Sequence, residues 1–423
     1  MIANNIKYIH RIGEYAVVGL RSGESFLLNS VQLELVMNAL EYDNRDNVIS
    51  NFLKTINVLT EERVKVKELI ENYFNKLETM GIFVPNQIEN NEKQSISITG
   101  YEGKYYPYRI ALELTNACIA YCSHCFKKAN DGIIRYLEYS DILKLNSDLC
   151  EQFQIVHLTG GEPLLHPEFE RIMHLFKNKE IELNTNGILI KNYPIDIFKG
   201  VKALSIGIYG LSDREYLENT GIHDGFTALC ESCRLLKEAD IKFSISLVIN
   251  QHNVKELNSY VATAYSLGAN EFIPGLANKI GRLEYPNEKN CHWILSQGEK
   301  KYAYRTLREL GKKFYGKIMI DDWGRDGYRT KDIVRETEKV YKNRCFQCGA
   351  GTMKWTITED FMFKPCTMFL DCPQLYLSYR EWLQYIQGEK EIIWSEYMDS
   401  FIENCNLRGT IPSEYCDFIP ESR

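Results

Sequence analysis

The strongest constraint on this chain is an alternation between residues 109 and about 280, where short apolar runs are separated by helix-length segments. The runs lie at 109–114, 155–159, 181–184, 203–208, 242–249 and 271–274. Each is long enough for one strand, and the spacers supply the crossovers that parallel strands need. Six such β-α units predict an α/β fold with a parallel sheet, a partial (β/α)6 TIM-type barrel assigned to 105–310. In that architecture ligands collect at the C-terminal ends of the strands, so the loops after the runs are where chemistry belongs.

The flanks read differently. Residues 1–88 open with β-like runs at 6–12, 15–20 and 25–28, punctuated by Gly13 and Gly23. Helical spacing follows at 31–42 (Leu33, Val36, Met37, Leu40) and at 64–80 (Val66, Leu69, Ile70, Phe74, Leu77). Thr60 with Glu61 and Glu62 marks a helix start, and Gly81 ends the last helix before a strand-like 82–84. Strands, then helices, then a short strand is a winged-helix pattern. Residues 89–104, within a polar stretch starting at 86, read as a linker, with the tyrosine-rich 101–108 solvated beside it. Residues 285–340 are charged and mostly helical, and 311–423 form a separate, cysteine-rich C-terminal part.

A net charge of −7 argues against broad nucleic-acid binding. The first twenty residues interleave Lys7, His10, Arg11 and Glu14 with apolar ones, unlike a signal peptide, and no run approaches the ~18 apolar residues of a membrane span. A cytosolic protein without membrane or nucleic-acid partners is the expectation. Thirteen cysteines in a reducing compartment then need a reason, and they fall into two dense groups. Clustered thiols read first as metal or cluster ligands.

The first group is Cys118-x3-Cys122-x2-Cys125, directly after the first run of the β-α series. Three closely spaced loop cysteines can hold three corners of a 4Fe–4S cube and leave one iron open for a ligand. A structural zinc or unliganded core thiols are the plain alternatives. His124 stands beside Cys125 and would face away easily. After the second run comes Thr159-Gly160-Gly161-Glu162-Pro163. Its glycines would let a ligand approach the backbone, and Glu162 could pair with an ammonium. Alone this would be a turn; one strand after the three-cysteine loop it is specific.

Together these motifs resemble the radical S-adenosylmethionine (SAM) superfamily over about 105–285. The resemblance implies that Cys118, Cys122 and Cys125 hold a 4Fe–4S cluster whose open iron is chelated by the amine and carboxylate of SAM. One electron, from a donor such as flavodoxin or ferredoxin, then releases a 5′-deoxyadenosyl radical that abstracts a substrate hydrogen. Gly160, Gly161 and Glu162 would contact the amine. Asn186, Ser205 and Asn250, at later strands, are weaker SAM contacts, with turn formation as their alternative. The fourth strand departs from the usual Ser-x-Asp-Gly-like ending: here it runs from Ser205 to Tyr209 and Gly210. Tyr209 or backbone would then meet the ribose.

The second group is Cys345-x2-Cys348-Gly-Ala-Gly, then Cys366, Cys372, Cys405 and Cys416. It resembles the SPASM and twitch extensions, which hold auxiliary 4Fe–4S clusters. Phe361 stands where a glycine is usual, and the dense closing cysteine run of a full SPASM domain is missing. Six thiols cannot fill two four-thiolate clusters. One auxiliary cluster on Cys348, Cys366, Cys405 and Cys416 is the expectation, leaving Cys345 and Cys372 for ligation or as catalytic redox thiols; a zinc ribbon is the alternative. Cys150, Cys230, Cys233 and Cys291 read as buried structural thiols, and His157, His166 and His174 as packing residues.

Residues 5–85 resemble the peptide-binding winged helix of ribosomal-peptide (RiPP) maturases, which adds a leader peptide as an extra strand at a sheet edge. The resemblance as a whole implies a sactipeptide- or ranthipeptide-type thioether synthase acting on a precursor peptide. Peptide epimerisation and carbon–carbon cross-linking are sibling reactions. A small-molecule or protein maturase, or a non-enzymatic iron–sulfur peptide carrier, are the more distant readings.

Overall fold

The computed structural model describes residues 5–21, 25–42, 45–55, 63–79, 81–83, 96–277, 279–314, 318, 351, 353–368, 373 and 376–389. They fall into two compact units, one holding the residues up to Tyr108 and the other built on those from Arg109.

In the first unit, β1 (Ile6–Gly13), β2 (Tyr15–Leu20) and β3 (Ser25–Asn29) form an antiparallel meander. Asn29 then caps α1 (Ser30–Glu41): its side chain accepts from the Gln32 N–H while Gln32 reaches back to the Asn29 N–H. α2 (Arg45–Thr55) and α3 (Arg63–Thr79) complete the helical layer. Ile9, Val18, Phe26, Val36, Phe52 and Phe74 are buried between sheet and helices. α2 was absent from the sequence reading, although Val48, Ile49, Phe52 and Leu53 carry its buried stripe. The expected strand at 82–84 is a turn and bends over 81–83, where Phe83 stacks on Phe74 with ring centroids 4.6 Å apart.

The linker expectation is corrected at 97–102. This segment is β4 (Ser97–Glu102), which pairs in parallel with β1 from Tyr8↔Ser97 to Gly13↔Glu102. The sheet order is therefore β3-β2-β1-β4. What holds β4 is polar, which is why no apolar alternation announced it. Buried His10 sets Nδ1 2.8 Å from the Thr99 hydroxyl and Nε2 2.7 Å from the Tyr106 carbonyl. A carbonyl only accepts, so Nε2 carries the proton and Nδ1 accepts from Thr99. Burial pulls the His10 pKa down to about 4, which keeps this neutral form. The tyrosine-rich stretch is likewise no solvated linker: Tyr108 is buried and stacks on Tyr8 at 4.2 Å.

The second unit contains the expected parallel series: β5 (Arg109–Glu113), β6 (Ile155–Thr159), β7 (Glu180–Thr185), β8 (Val201–Gly207), β9 (Ser244–Ile249) and β10 (Glu271–Leu276), in sequential order. α4 (Tyr139–Leu149), α5 (Phe169–Leu175), α6 (Asp213–Thr220), α7 (Gly225–Glu238) and α8 (Leu257–Ser266) fill the crossovers, and α9 (Gln297–Lys313) follows the last strand. The β7–β8 connection differs, being made of two 3-10 turns around Pro194. The sheet also extends beyond the six strands. β11 (Lys354–Ile357) adds in parallel to β5, and β12 (Phe363–Lys364) pairs antiparallel with β11. This hairpin, assigned by sequence to a separate C-terminal part, shares the barrel's sheet. Trp382 of α10 (Tyr379–Ile386) stacks on Phe363 at 4.4 Å to cover it. Among the described residues no helix is long and apolar enough to cross a membrane.

Gly100 and Gly103 test the attachment of β4. Both hold φ near +72°, but a Cβ at Gly100 would lie 2.0 Å from the Arg11 carbonyl oxygen while one at Gly103 meets nothing within 4 Å. Both valine substitutions carry the left-handed strain of about 1–3 kcal/mol, and Gly100→Val is expected to lose clearly more in a denaturant titration. Equal losses would show that β4 contributes nothing to the unit.

Candidate active site

The cysteine loop, the Gly160–Glu162 loop, Asn186 and Asn250 follow the C-terminal ends of β5, β6, β7 and β9, and Ser205 lies within β8. The chain leaves β5 through Leu114, whose N–H donates to the Thr159 carbonyl, and enters the cysteine loop. Asn130 laces this loop: its Oδ1 accepts the Cys118 N–H and its Nδ2 donates to the Cys118 carbonyl, both at 2.8 Å. Backbone N–H groups of Ala120 and Ala129 point at the sulfurs of Cys118 and Cys125 at 3.4 and 3.5 Å. Cys118, Cys122 and Cys125 all line one cavity of about 970 Å³.

Burial, with the Glu162 charge adding to it, pushes Cys118 up to about 12, and burial with the charges of Cys125 and Cys118 drives Cys122 higher still. Thiolate charge at Cys118 and Cys122 is therefore disfavoured unless a cation lies beside them. The donor set of three soft thiolates with N–H···S bonds fits an iron–sulfur cluster. Asn186 fits a ligand beside it, since its Nδ2 is buried without a hydrogen-bond partner while its amide eases the charge at Cys118.

The Gly160–Glu162 loop packs on the cysteine loop itself. The Gly161 N–H donates to the Thr115 carbonyl at 2.7 Å and the Glu162 N–H to the Ala117 carbonyl at 2.8 Å. Gly160 holds φ +132°, and a Cβ on Gly161 would stand 2.2 Å from the Ala117 oxygen. The close approach these glycines permit is therefore first to neighbouring backbone, where the sequence reading gave it to a ligand. Both glycines do line the cavity. Glu162 is fully buried and accepts from Thr185 Oγ1 at 2.7 Å, Asn186 N at 2.8 Å and Leu164 N at 3.1 Å. Burial nonetheless outweighs these donors and raises its pKa to about 7.

Ser205 and Tyr209 line the cavity, whereas Asn250 Oδ1 accepts from the backbone N–H groups of His252 and Asn253 and forms the turn after β9. The turn reading of Asn250 is the one its contacts support. His157 also lines the cavity, so it is more than a packing residue; His166 packs as expected, donating from Nε2 to the Leu137 carbonyl. Cys291 is exposed on a 3-10 turn, contrary to its reading as a buried thiol.

Some residues were missed by sequence. His124 does not face away: its ring packs on Trp293 at 3.7 Å, and Trp293 Nε1 donates to Ser123. Arg282 braces the loop from below, donating to the carbonyls of Cys122 and Ala129 while its guanidinium covers Tyr121. Gly281 before it holds φ +60° against the carbonyls of Phe126 and Cys125. Only tertiary packing brings 281–293 here. Of the second cysteine group, Cys366 follows β12, and Thr367 and Met368 line the same cavity as the first three thiols. Cys345, Cys348, Cys372, Cys405 and Cys416 lie outside the described residues.

Glu162 makes the stability pH-dependent. A carboxyl with a folded pKa near 7 against an unfolded value near 4.5 stabilises fully below about pH 4.5 and loses that contribution as pH rises to 7. Thermal melts of the ligand-free protein should show this decline, about 3 kcal/mol for a shift of this size, and Glu162→Gln should flatten it. Parallel profiles for the two proteins would contradict the buried-carboxyl account.

Comparison with known proteins agrees with this geometry. Residues 112–263 match the model of the Radical SAM superfamily. The chain is 24% identical to the sporulation killing factor maturation protein SkfB of Bacillus subtilis (strain 168) over 65% of its own length, spanning 64% of that protein. It is 22% identical to the antilisterial bacteriocin subtilosin biosynthesis protein AlbA of the same organism, covering 77% of this chain and 69% of AlbA. Streptococcus suis SuiB bound to S-adenosylmethionine has the same fold, with a TM-score of 0.59 at 14% identity over 94% of this chain and 88% of SuiB. Residues 112–263 thus form a Radical SAM domain.

Proposed function

We propose that this chain is a radical SAM peptide maturase that forms thioether cross-links, cysteine sulfur to carbon, in a leader-bound ribosomal precursor peptide. The observation that carries the reading is the convergence of Cys118, Cys122 and Cys125 with Gly160 and Gly161 on one roomy cavity. The names of SkfB and AlbA, a maturation and a biosynthesis protein for peptide products, support a peptide substrate. So does SuiB, crystallised with its precursor peptide SuiA.

A bound 4Fe–4S cluster with SAM would supply the 5′-deoxyadenosyl radical, given an electron from a flavodoxin or ferredoxin. Cys118, Cys122 and Cys125 would hold the cluster. Glu162, titrating near neutrality, would ionise fully when the methionyl ammonium arrives, and the unpartnered Asn186 amide would meet the carboxylate end. Ser205 and Tyr209 would line the nucleoside side. Cys366, with Cys348, Cys405 and Cys416, would hold an auxiliary 4Fe–4S cluster able to accept the one electron left when the deoxyadenosyl radical has taken a hydrogen atom, the cysteine thiol has lost its proton and the C–S bond has formed, Cys345 and Cys372 remaining as redox thiols. The leader would add to the outer edge of β3, an edge strand that pairs with β2 on its other side.

Reduced, reconstituted protein given SAM should form 5′-deoxyadenosine, and the peptide should lose two hydrogen atoms per cross-link by mass spectrometry. No 5′-deoxyadenosine, even with peptide present, would sink the reading. Leu27→Lys, a charge on the β3 edge, should weaken leader binding about tenfold and leave SAM cleavage without peptide unchanged. Undiminished binding would move the leader elsewhere.

A further inference from the structure

We propose that four charges, the buried Glu113 and Lys364 and the largely buried Lys127 and Glu359, form a positioning device that locks the cysteine loop to the β11–β12 hairpin. The inference rests on the reading of Cys118, Cys122 and Cys125 as ligands; it is independent of which peptide is modified.

Glu113 ends β5 and is 1% exposed. Its Oε2 accepts from Lys127 Nζ at 2.5 Å, and its Oε1 lies 3.1 Å from Lys364 Nζ. Lys127 Nζ donates a second bond to Glu359 Oε2 at 2.7 Å. The four side chains thus form a neutral chain, Glu359–Lys127–Glu113–Lys364, with both ends on the hairpin and its middle on the barrel.

The placement of these residues gives the network its use. Lys127 lies two residues after Cys125, and Lys364 two residues before Cys366. The β5–β11 ladder ends at Leu112↔Ile357, one residue short of Glu113, so the ion pairs continue the attachment where backbone pairing stops. Beyond Lys364, Thr367 and Met368 form part of the cavity wall that carries the three thiols. Burying four charges is costly, and apolar side chains would fill the same space at least as stably. What ion pairs add is a single geometry: each carboxylate and ammonium must find its own partner, so the hairpin has one place against the cysteine loop. Arg135 and Asp360 also link loop and hairpin, at 3.4 Å, but both are exposed and their pair constrains little.

The test uses full-length protein in two states. In the iron-free state, Glu359→Gln should speed amide exchange across residues 125–130 by about tenfold, although residue 359 is on the hairpin. Glu359→Asp, keeping the charge but withdrawing it, should fall between. Arg135→Gln should change nothing. In the reconstituted state, Glu359→Gln should alter the paramagnetic resonance line shape of the reduced, SAM-binding cluster. Exchange within about twofold of the parent protein, or an equal effect from Arg135→Gln, would overturn the proposal. If the parent protein takes up no iron, the cluster reading fails by itself, and the exchange comparison still decides whether the quartet positions the loop.

Discussion

Two backbone hydrogen bonds, from Gly161 to the Thr115 carbonyl and from Glu162 to the Ala117 carbonyl, are what the rest of the site depends on. They join the loop after β6 to the loop after β5 with no side chain between them. Only glycine leaves room, because a Cβ at position 161 would collide with the Ala117 oxygen. The contact fixes where Cys118 begins and turns the Glu162 carboxyl inward, towards Thr185 and Asn186 at the end of β7. Three consecutive strand ends are thereby tied into one rigid rim, which is what a site must be if it is to hold reacting groups in place.

The electrostatics of that rim are set for cations. Burial raises Cys118, Cys122 and Glu162 alike, and the Glu162 charge makes ionisation of Cys118 harder still. In a ligand-free protein this is a standing cost, carried as protonated groups. Iron among the thiols and an ammonium near the carboxyl would reverse the sign of the interaction, since the charged forms would then be the paired ones. The site is thus less stable empty than its hydrogen bonds alone would suggest.

Legibility followed the kind of interaction. The six parallel strands were readable because both faces of such a sheet are buried and their residues run apolar. The cysteine and Gly160–Glu162 loops were readable because their chemistry is local in sequence. His124, Arg282 and Trp293 were not, because 282 and 293 reach the loop only through the return of the chain after β10, and His124 shows its role only when Trp293 packs on it. The Lys127 and Lys364 pairings were hidden for the same reason, as two lysines among many whose burial no local pattern reveals. β4 was missed because its anchor is a hydrogen-bonded histidine and threonine rather than an apolar stripe.

That last case bears on the first unit as a whole. A meander of three strands has two open edges, and either could accept an added strand or an unwanted neighbour. Pairing β4 with β1 covers the β1 edge and makes β4 the outer strand, and the neutral His10 between Thr99 and Tyr106 keeps that strand in register. An edge closed by a polar anchor buries little apolar surface, so its hold comes from satisfying His10 completely: either lost partner would leave a buried ring nitrogen unpaired. Among the described residues the sheet then ends on β4 at one side and on β3 at the other, and the direction and register of β3 are already set by β2. A chain segment adding there would meet one fixed set of backbone groups, and its own sequence would then decide how well it fits.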